Sequence, residues 1–313
     1  MKSYSRWIGC AGLVLATGVI WAMLHLHMQT DVPAQTAKHI LGVVVTESED
    51  TWHTMVQESL LDAAAAQGLD VITLDAARTT DAQAEQVRAL IIYQVDAIVL
   101  APVAETGWDY VFQEAQDAGI PIVTVNKRAA APQPGLVSYV GYDYSAAAQA
   151  AARAWLKMPG GHRDNVVELC GTVDASSTRE IAGGFRRCLR QMDAPARINY
   201  SVSTEFMRSR AKEVVEWLAG RDHRMDLILA HSDGITAGAV EALETAGLEV
   251  RVCAFGGSEQ VLQMQRSGQI SWLAYLDPAL LGEQAVAEVQ ERLSGAPAAE
   301  RLCPVQILER GGR

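Results

Sequence analysis

No low-complexity tract interrupts this chain, and only ten prolines occur in 313 residues, so the sequence is not that of a disordered protein. Cysteine is also scarce. Five residues with no Cys-x-x-Cys pair leave a metal ribbon or a thioredoxin-type site without support. Basic clusters are missing apart from Arg186, Arg187 and Arg190, which share one predicted helix and read as a solvated face. With a formal net charge of −11 the chain lacks the Lys and Arg that neutralise phosphates, which excludes nucleic acid as a partner. There is no phosphate-binding loop and no Gly-x-Ser-x-Gly elbow. His231, Ser232 and Asp233 are adjacent, so their side chains diverge instead of forming a relay. His25 and His27 are too close and too few for a metal site. No catalytic residue, no metal and no cofactor is expected.

What is present is a globular composition, 49% hydrophobic and 20% charged, on a chain long enough for two domains. The first 38 residues differ from the rest. Lys2 and Arg6 precede an uncharged apolar run over residues 7–28, followed by a polar linker. Such a pattern is a secretory signal or an inner-membrane anchor with its start in the cytoplasm. A cleaved core is roughly 7–15 residues and a spanning helix about 20, so the length favours the anchor; Val32-Pro33-Ala34 is a tolerable but late cleavage site. Either way the remainder is exported to the periplasm. Cys10 lies inside the apolar run, while Cys170 and Cys253 fall in predicted strands and read as small buried hydrophobes. An oxidising compartment permits a disulfide, and the sequence selects no pairing.

From residue 40 onward, Ile- and Val-rich runs of strand length alternate with amphipathic helical segments. Residues 98–126 are the clearest case: two buried strands flank a helix with Trp108, Val111 and Ala115 on one stripe. This is a βαβ unit, with parallel strands and a right-handed crossover. Ligands bind at the carboxyl ends of such strands, which places Pro102–Thr106 and Asn126–Lys127 at a small-molecule site. Ten predicted strands exceed one ordinary sheet, so two α/β lobes are expected. The Pro/Ala/Gly-rich stretch Arg128–Gly135 reads as a crossing between them.

Small ligands whose hydroxyls both donate and accept are met by planar Asp, Asn and Arg groups, with an aromatic plate for any apolar ring face. Trp52, in the predicted loop after the first strand, suits the plate, with Phe206 as a second wall and Ser48 and Glu49 as polar lining. On this reading Trp52→Ala removes binding and leaves the fold intact. Trp108 is expected to pack beneath its loop.

Several segments carry a resemblance: Ser48-Glu49-x-x-Trp52, APVAETGW (101–108), NVVELCGTVDAS (165–176), EFMRSRAKEV (205–214) and AHSDGITAGAVEALETAG (230–247). In order and wording the chain resembles the type I periplasmic sugar-binding proteins, the ribose- and galactose-binding group, and especially the galactofuranose-binding branch, over residues 39–310. The resemblance implies two doubly wound parallel-sheet lobes joined by a three-strand hinge and closing on a ligand. The N-terminal lobe would hold 39–140 and 276–302, the C-terminal lobe 141–275 and 303–313. It also implies departures at the ligand clamp. Asn126-Lys127 stands for the family's Asp-Arg, which removes a charge and a bidentate fork. Ile181 stands where the family has Arg, and Arg179, two residues earlier, points about 200° away on a helix. Ser232-Asp233 replaces Asn-Asp, and Phe255-Gly256-Gly257 has no carboxylate where the family has Asp-Gly. His53 replaces the branch's Arg, and Tyr275 precedes the returning hinge strand.

The candidate ligand set is therefore Ser48, Glu49, Trp52, His53, Asn126, Lys127, Arg179, Phe206, Ser232 and Tyr275. Two partnerships follow: a carrier that hands a sugar or polyol to an ABC permease, or a membrane-tethered sensor whose closure signals to a partner such as a histidine kinase. The replaced clamp means an altered ligand or a cleft turned interaction module. A transcription regulator of this fold would need an N-terminal helix-turn-helix, and residues 1–38 show none.

Overall fold

The computed structural model describes residues 38–46, 51–76, 79–158, 165–221 and 224–309. The apolar run at 7–28 and the loop carrying Ser48 and Glu49 lie outside these residues. No described helix is long and apolar enough to cross a membrane.

Two six-stranded sheets organise the chain. The first contains β1 (Ile40–Thr46), β2 (Asp70–Ala76), β3 (Ala97–Leu100), β4 (Ile122–Val125), β5 (Val137–Tyr142) and β11 (Glu300–Cys303), in the order β11-β5-β4-β3-β1-β2. The second contains β6 (Asn165–Cys170), β7 (Arg197–Ser203), β8 (Leu227–Ala230), β9 (Arg251–Gly256), β10 (Trp272–Tyr275) and β12 (Gln306–Glu309), in the order β12-β10-β9-β8-β6-β7. Every neighbouring pair is parallel except β10 and β12, so the second sheet ends in one antiparallel edge. Strand order reverses between β1 and β3 in one sheet and between β6 and β8 in the other. Loops leaving the carboxyl ends there diverge and open a crevice, the position at which open α/β sheets bind ligands.

Helices cover both faces of each sheet, which explains the near-continuous apolar strands. On the first sheet, α1 (Thr51–Ala66) and α9 (Pro278–Leu293) pack on one face, and α2 (Thr80–Ile92) and α3 (Asp109–Asp117) on the other. On the second, α4 (Tyr144–Lys157) and α5 (Ser176–Gln191) oppose α6 (Arg208–Ala219), α7 (Asp233–Ala246) and α8 (Glu259–Ser267). The period of two is visible inside single strands. Ala97 and Val99 of β3 face the α1/α9 side, while Ile98 and Leu100 face α2 and α3. One apolar cluster runs unbroken from the first sheet to the second through Trp52, Tyr142, Tyr144, Phe255 and Leu276. The lobes thus share a continuous hinge core.

The chain passes between sheets three times, after β5, after β10 and after β11. The first crossing therefore follows β5, not Arg128–Gly135, because β5 still pairs with β4. Two strands escape the sequence pattern. β5 (VSYVGY) follows the Pro/Gly-rich stretch and was not expected as a strand, and β11 (ERLC) is a half-exposed edge with charged residues. Side-chain oxygens start most helices: Thr79, Asp143, Ser232, Ser258 and Asp277 each accept a first-turn amide hydrogen, and Pro278 adds its preset φ to α9.

All four described cysteines are free and buried. Cys170 and Cys253 sit in strands as small hydrophobes, in line with the sequence pattern, and burial pushes the Cys253 thiol up to about 12.

Candidate functional site

The strand ends of the two sheets face each other, and direct contacts bridge the gap. The Glu105 amide donates to the Asp174 carbonyl at 2.9 Å. The Arg128 amide donates to Ser176 Oγ at 2.7 Å, and its guanidinium Nε to Glu180 at 3.2 Å. Arg179 pairs with Glu105 across the same seam, although its side chain stays 57% exposed. Arg128 also reaches Glu300 at 2.7 Å and lies 3.9 Å over the Tyr139 ring. These pairs join segments far apart in sequence, so a one-dimensional pattern gives no signal for Arg128, Glu180 or Glu105 as partners.

Asn126 ends β4 in the left-handed region, φ 68°, a conformation that Asn tolerates better than most residues. Its amide donates to Val140 O at 2.9 Å and its carbonyl accepts from the Tyr139 hydroxyl at 3.0 Å, so the backbone is fixed. Its side-chain Oδ1 accepts from the Tyr144 hydroxyl, fixing the amide as well. Lys127 follows, buried, with its ammonium 4.8 Å over the Phe206 ring from the opposite sheet. Phe206 and its neighbour Glu205 both have positive φ, 61° and 54°. Two such residues in a row store strain of the kind found at ligand clamps. The ring is seated on Gly171, where a Cβ would fall 1.9 Å from Phe206 Cζ. Only glycine leaves room for this wall.

Trp52 corrects the sequence expectation. It occupies the first turn of α1, not a loop, and is 4% exposed. Its indole Nε1 donates to the Leu276 carbonyl at 2.8 Å, tying α1 to the second crossing, and His53 meets its edge at 5.2 Å. Trp108 packs as expected, fully buried under its loop with Nε1 on Ala104 O at 2.9 Å.

His231, Ser232 and Asp233 engage three separate partners. Ser232 Oγ caps α7 by accepting from Ile235 N at 3.3 Å. Asp233 accepts from Gly257 N at 3.2 Å, Ser258 N at 2.9 Å and Ser258 Oγ at 2.5 Å. This carboxylate occupies the space beside Gly256, where a Cβ would lie 2.0 Å from Oδ2. Tyr275, half-buried at the end of β10, pairs in register with Gly256; burial, then Asp277 and Glu259, raise its hydroxyl pKa. Ile181, in the place of the resemblance's Arg, is fully buried in the hinge core.

Beneath the cleft, Glu168 of β6 is 1% exposed. It accepts from Arg186 at 2.7 Å and Ser201 at 2.5 Å, and His231 Nε2 lies 3.4 Å away without an aligned N–H. Burial alone would raise its pKa, but His231, Ser201 and Arg186 together outweigh it and hold the carboxyl at about 2. A folded value below the ordinary 4.5 contributes stability above that pH, lost as pH falls toward 2. The expected result is that Glu168→Gln flattens the acid limb of the stability profile. Relative to the variant, wild type loses on the order of 3 kcal/mol from pH 4.5 downward, read by denaturant unfolding at stepped pH.

Comparison with known proteins agrees with this architecture. The chain is 28% identical over 258 residues to the galactofuranose-binding protein YtfQ of Escherichia coli, covering 80% of each. It is 26% identical over 255 residues to the ribose import binding protein RbsB of Bacillus subtilis, covering 82% of each. Among solved structures, the periplasmic binding component of an arabinose ABC transporter from Shewanella sp. ANA-3, bound to α- and β-L-arabinofuranose, superposes with TM-score 0.80 at 28% identity, covering 87% of this chain and 92% of that one. A galactofuranose binding protein superposes with TM-score 0.81 at 25% identity, covering 87% and 95%. The profile of the periplasmic binding protein domain matches residues 41–297, most of the chain, and the chain belongs to that family.

Proposed function

We propose that this protein is a periplasmic solute-binding protein that captures a sugar or sugar-like polyol between two lobes, 39–140 with 276–302 and 141–275 with 303–313, and presents the closed complex to an ABC permease. The observation that carries this reading is the facing pair of strand-end edges, spanned by Arg128, Glu180, Glu105 and Asp174 and hinged on a shared core. Closure of this kind is a population shift driven by a ligand that touches both lobes. Phe206 and Lys127 would form one wall, and Asn126, Ser232 and Tyr275 the polar and aromatic lining. The relatives named above bind furanoses and ribose, which supports a compact sugar as the ligand class.

A thermal-shift panel of pentoses, hexoses, furanose-rich sugars, polyols and sugar acids tests this. A ligand at a hundred times its Kd stabilises by about 2.7 kcal/mol, a Tm rise of roughly 5–10 °C. A panel in which no member raises Tm contradicts the proposal.

A further inference from the structure

We infer that the ligand carries a carboxylate, and that this group sits at the N-terminus of α5 between the Asn126 amide nitrogen and the Thr178 hydroxyl; the inference rests on the solute-binding reading above. Three observations converge. Asn126 Oδ1 accepts from the Tyr144 hydroxyl, while its Nδ2 hydrogens have no acceptor among the described residues. Thr178 is 6% exposed and its Oγ1 has no hydrogen-bond partner. A buried hydroxyl left unpaired is destabilising and calls for an explanation such as a ligand. Thr178 lies in the first turn of α5, where Cα–Cβ bonds tilt toward the helix start.

The helix itself is the third observation. α5 runs 16 residues, and its N-cap, Ala175, provides no side-chain acceptor, so its leading amides and positive dipole end are left for an anion. The first residue, Ser176, binds the Arg128 amide two positions after Asn126, which brings this helix start against the Asn126 turn. Among the described residues, the nearby carboxylates have other partners. Asp233 is held by Gly257 and Ser258, Glu105 by Arg179 and Glu180 by Arg128, while Asp174 is exposed to solvent. A neutral sugar hydroxyl has a proton to donate, for which the Asn126 Nδ2 hydrogens and the leading amides of α5 offer no acceptor. A carboxylate accepts from all of these donors and has none to place.

Calorimetric titration of the intact protein with galactose, galacturonate and galactonate, and with arabinose and arabinonate, separates the cases. The expected result is that an acid binds about ten-fold or more tightly than its neutral counterpart. Asn126→Asp, nearly isosteric, is expected to abolish that preference by at least ten-fold without lowering the ligand-free Tm. Thr178→Val is expected to weaken the acid about ten-fold, to weaken neutral sugars by a smaller factor, and to raise or maintain the ligand-free Tm. Neutral sugars binding more tightly than their acids would overturn the inference while leaving the solute-binding reading in place. Binding of neither class, in a panel that includes both, would count against both.

Discussion

Trp52→Ala is expected to destabilise the protein by about 3–5 kcal/mol, a fall in Tm of roughly 6–20 °C. The reason is position. The indole is 4% exposed, packs in the cluster that runs between the two sheets and donates to the Leu276 carbonyl. Truncation opens a cavity at the hinge and strands that carbonyl. Trp52→Phe separates the two effects, because it keeps most of the ring and loses the N–H. The phenylalanine variant is expected to cost about 1–3 kcal/mol. Scanning calorimetry without ligand reads both. An alanine variant that melts with wild type would mean that the ring is a cleft plate with no structural role, as the sequence alone suggests.

The second large effect concerns Gly256 and Asp233. Gly256→Ala places a Cβ 2.0 Å from Oδ2 of the Asp233 carboxylate, whose Oδ1 accepts from three donors. Either the strand end moves or Asp233 abandons Gly257 and Ser258. Overpacking costs typically about 1–3 kcal/mol, and displacing a buried, hydrogen-bonded carboxylate adds about 2–3 more. The expected loss is therefore about 3–6 kcal/mol. The mechanism is checked by a cycle: with Asp233→Gly already present, adding Gly256→Ala is expected to cost much less, giving a coupling of about 2 kcal/mol or more. Additive costs would show that the crowding is with backbone and not with Asp233.

Much of the fold is legible in the sequence because buried parallel strands must be apolar on both faces. The β3–α3–β4 unit is the clearest case, since run lengths, the Trp108 stripe and the Gly-Ile-Pro turn agree with one another. β5 was hidden by the Pro/Gly-rich stretch before it, and β11 by its charged, half-exposed edge, where pairing and not burial makes the strand. The site is less legible. Lys127 and Phe206 do come together from the two sheets, since strand ends are predictable from buried apolar runs. Trp52 was misplaced because Thr51 starts a helix earlier than the apolar period indicates. The Asn126 amide's orientation depends on Tyr144, and the interlobe pairs on the facing of two sheets; both are tertiary facts with no local trace. Thr178 looks like an ordinary helix-start residue until its unpaired hydroxyl is seen.

The most direct test of two lobes closing on a solute is small-angle X-ray scattering of the protein with and without a saturating ligand identified by thermal shift. The account predicts that the radius of gyration falls on binding, and that Arg128→Ala, which removes the link to Glu180, raises the ligand concentration at which it falls. Scattering that is identical with and without a ligand shown to raise Tm would contradict it.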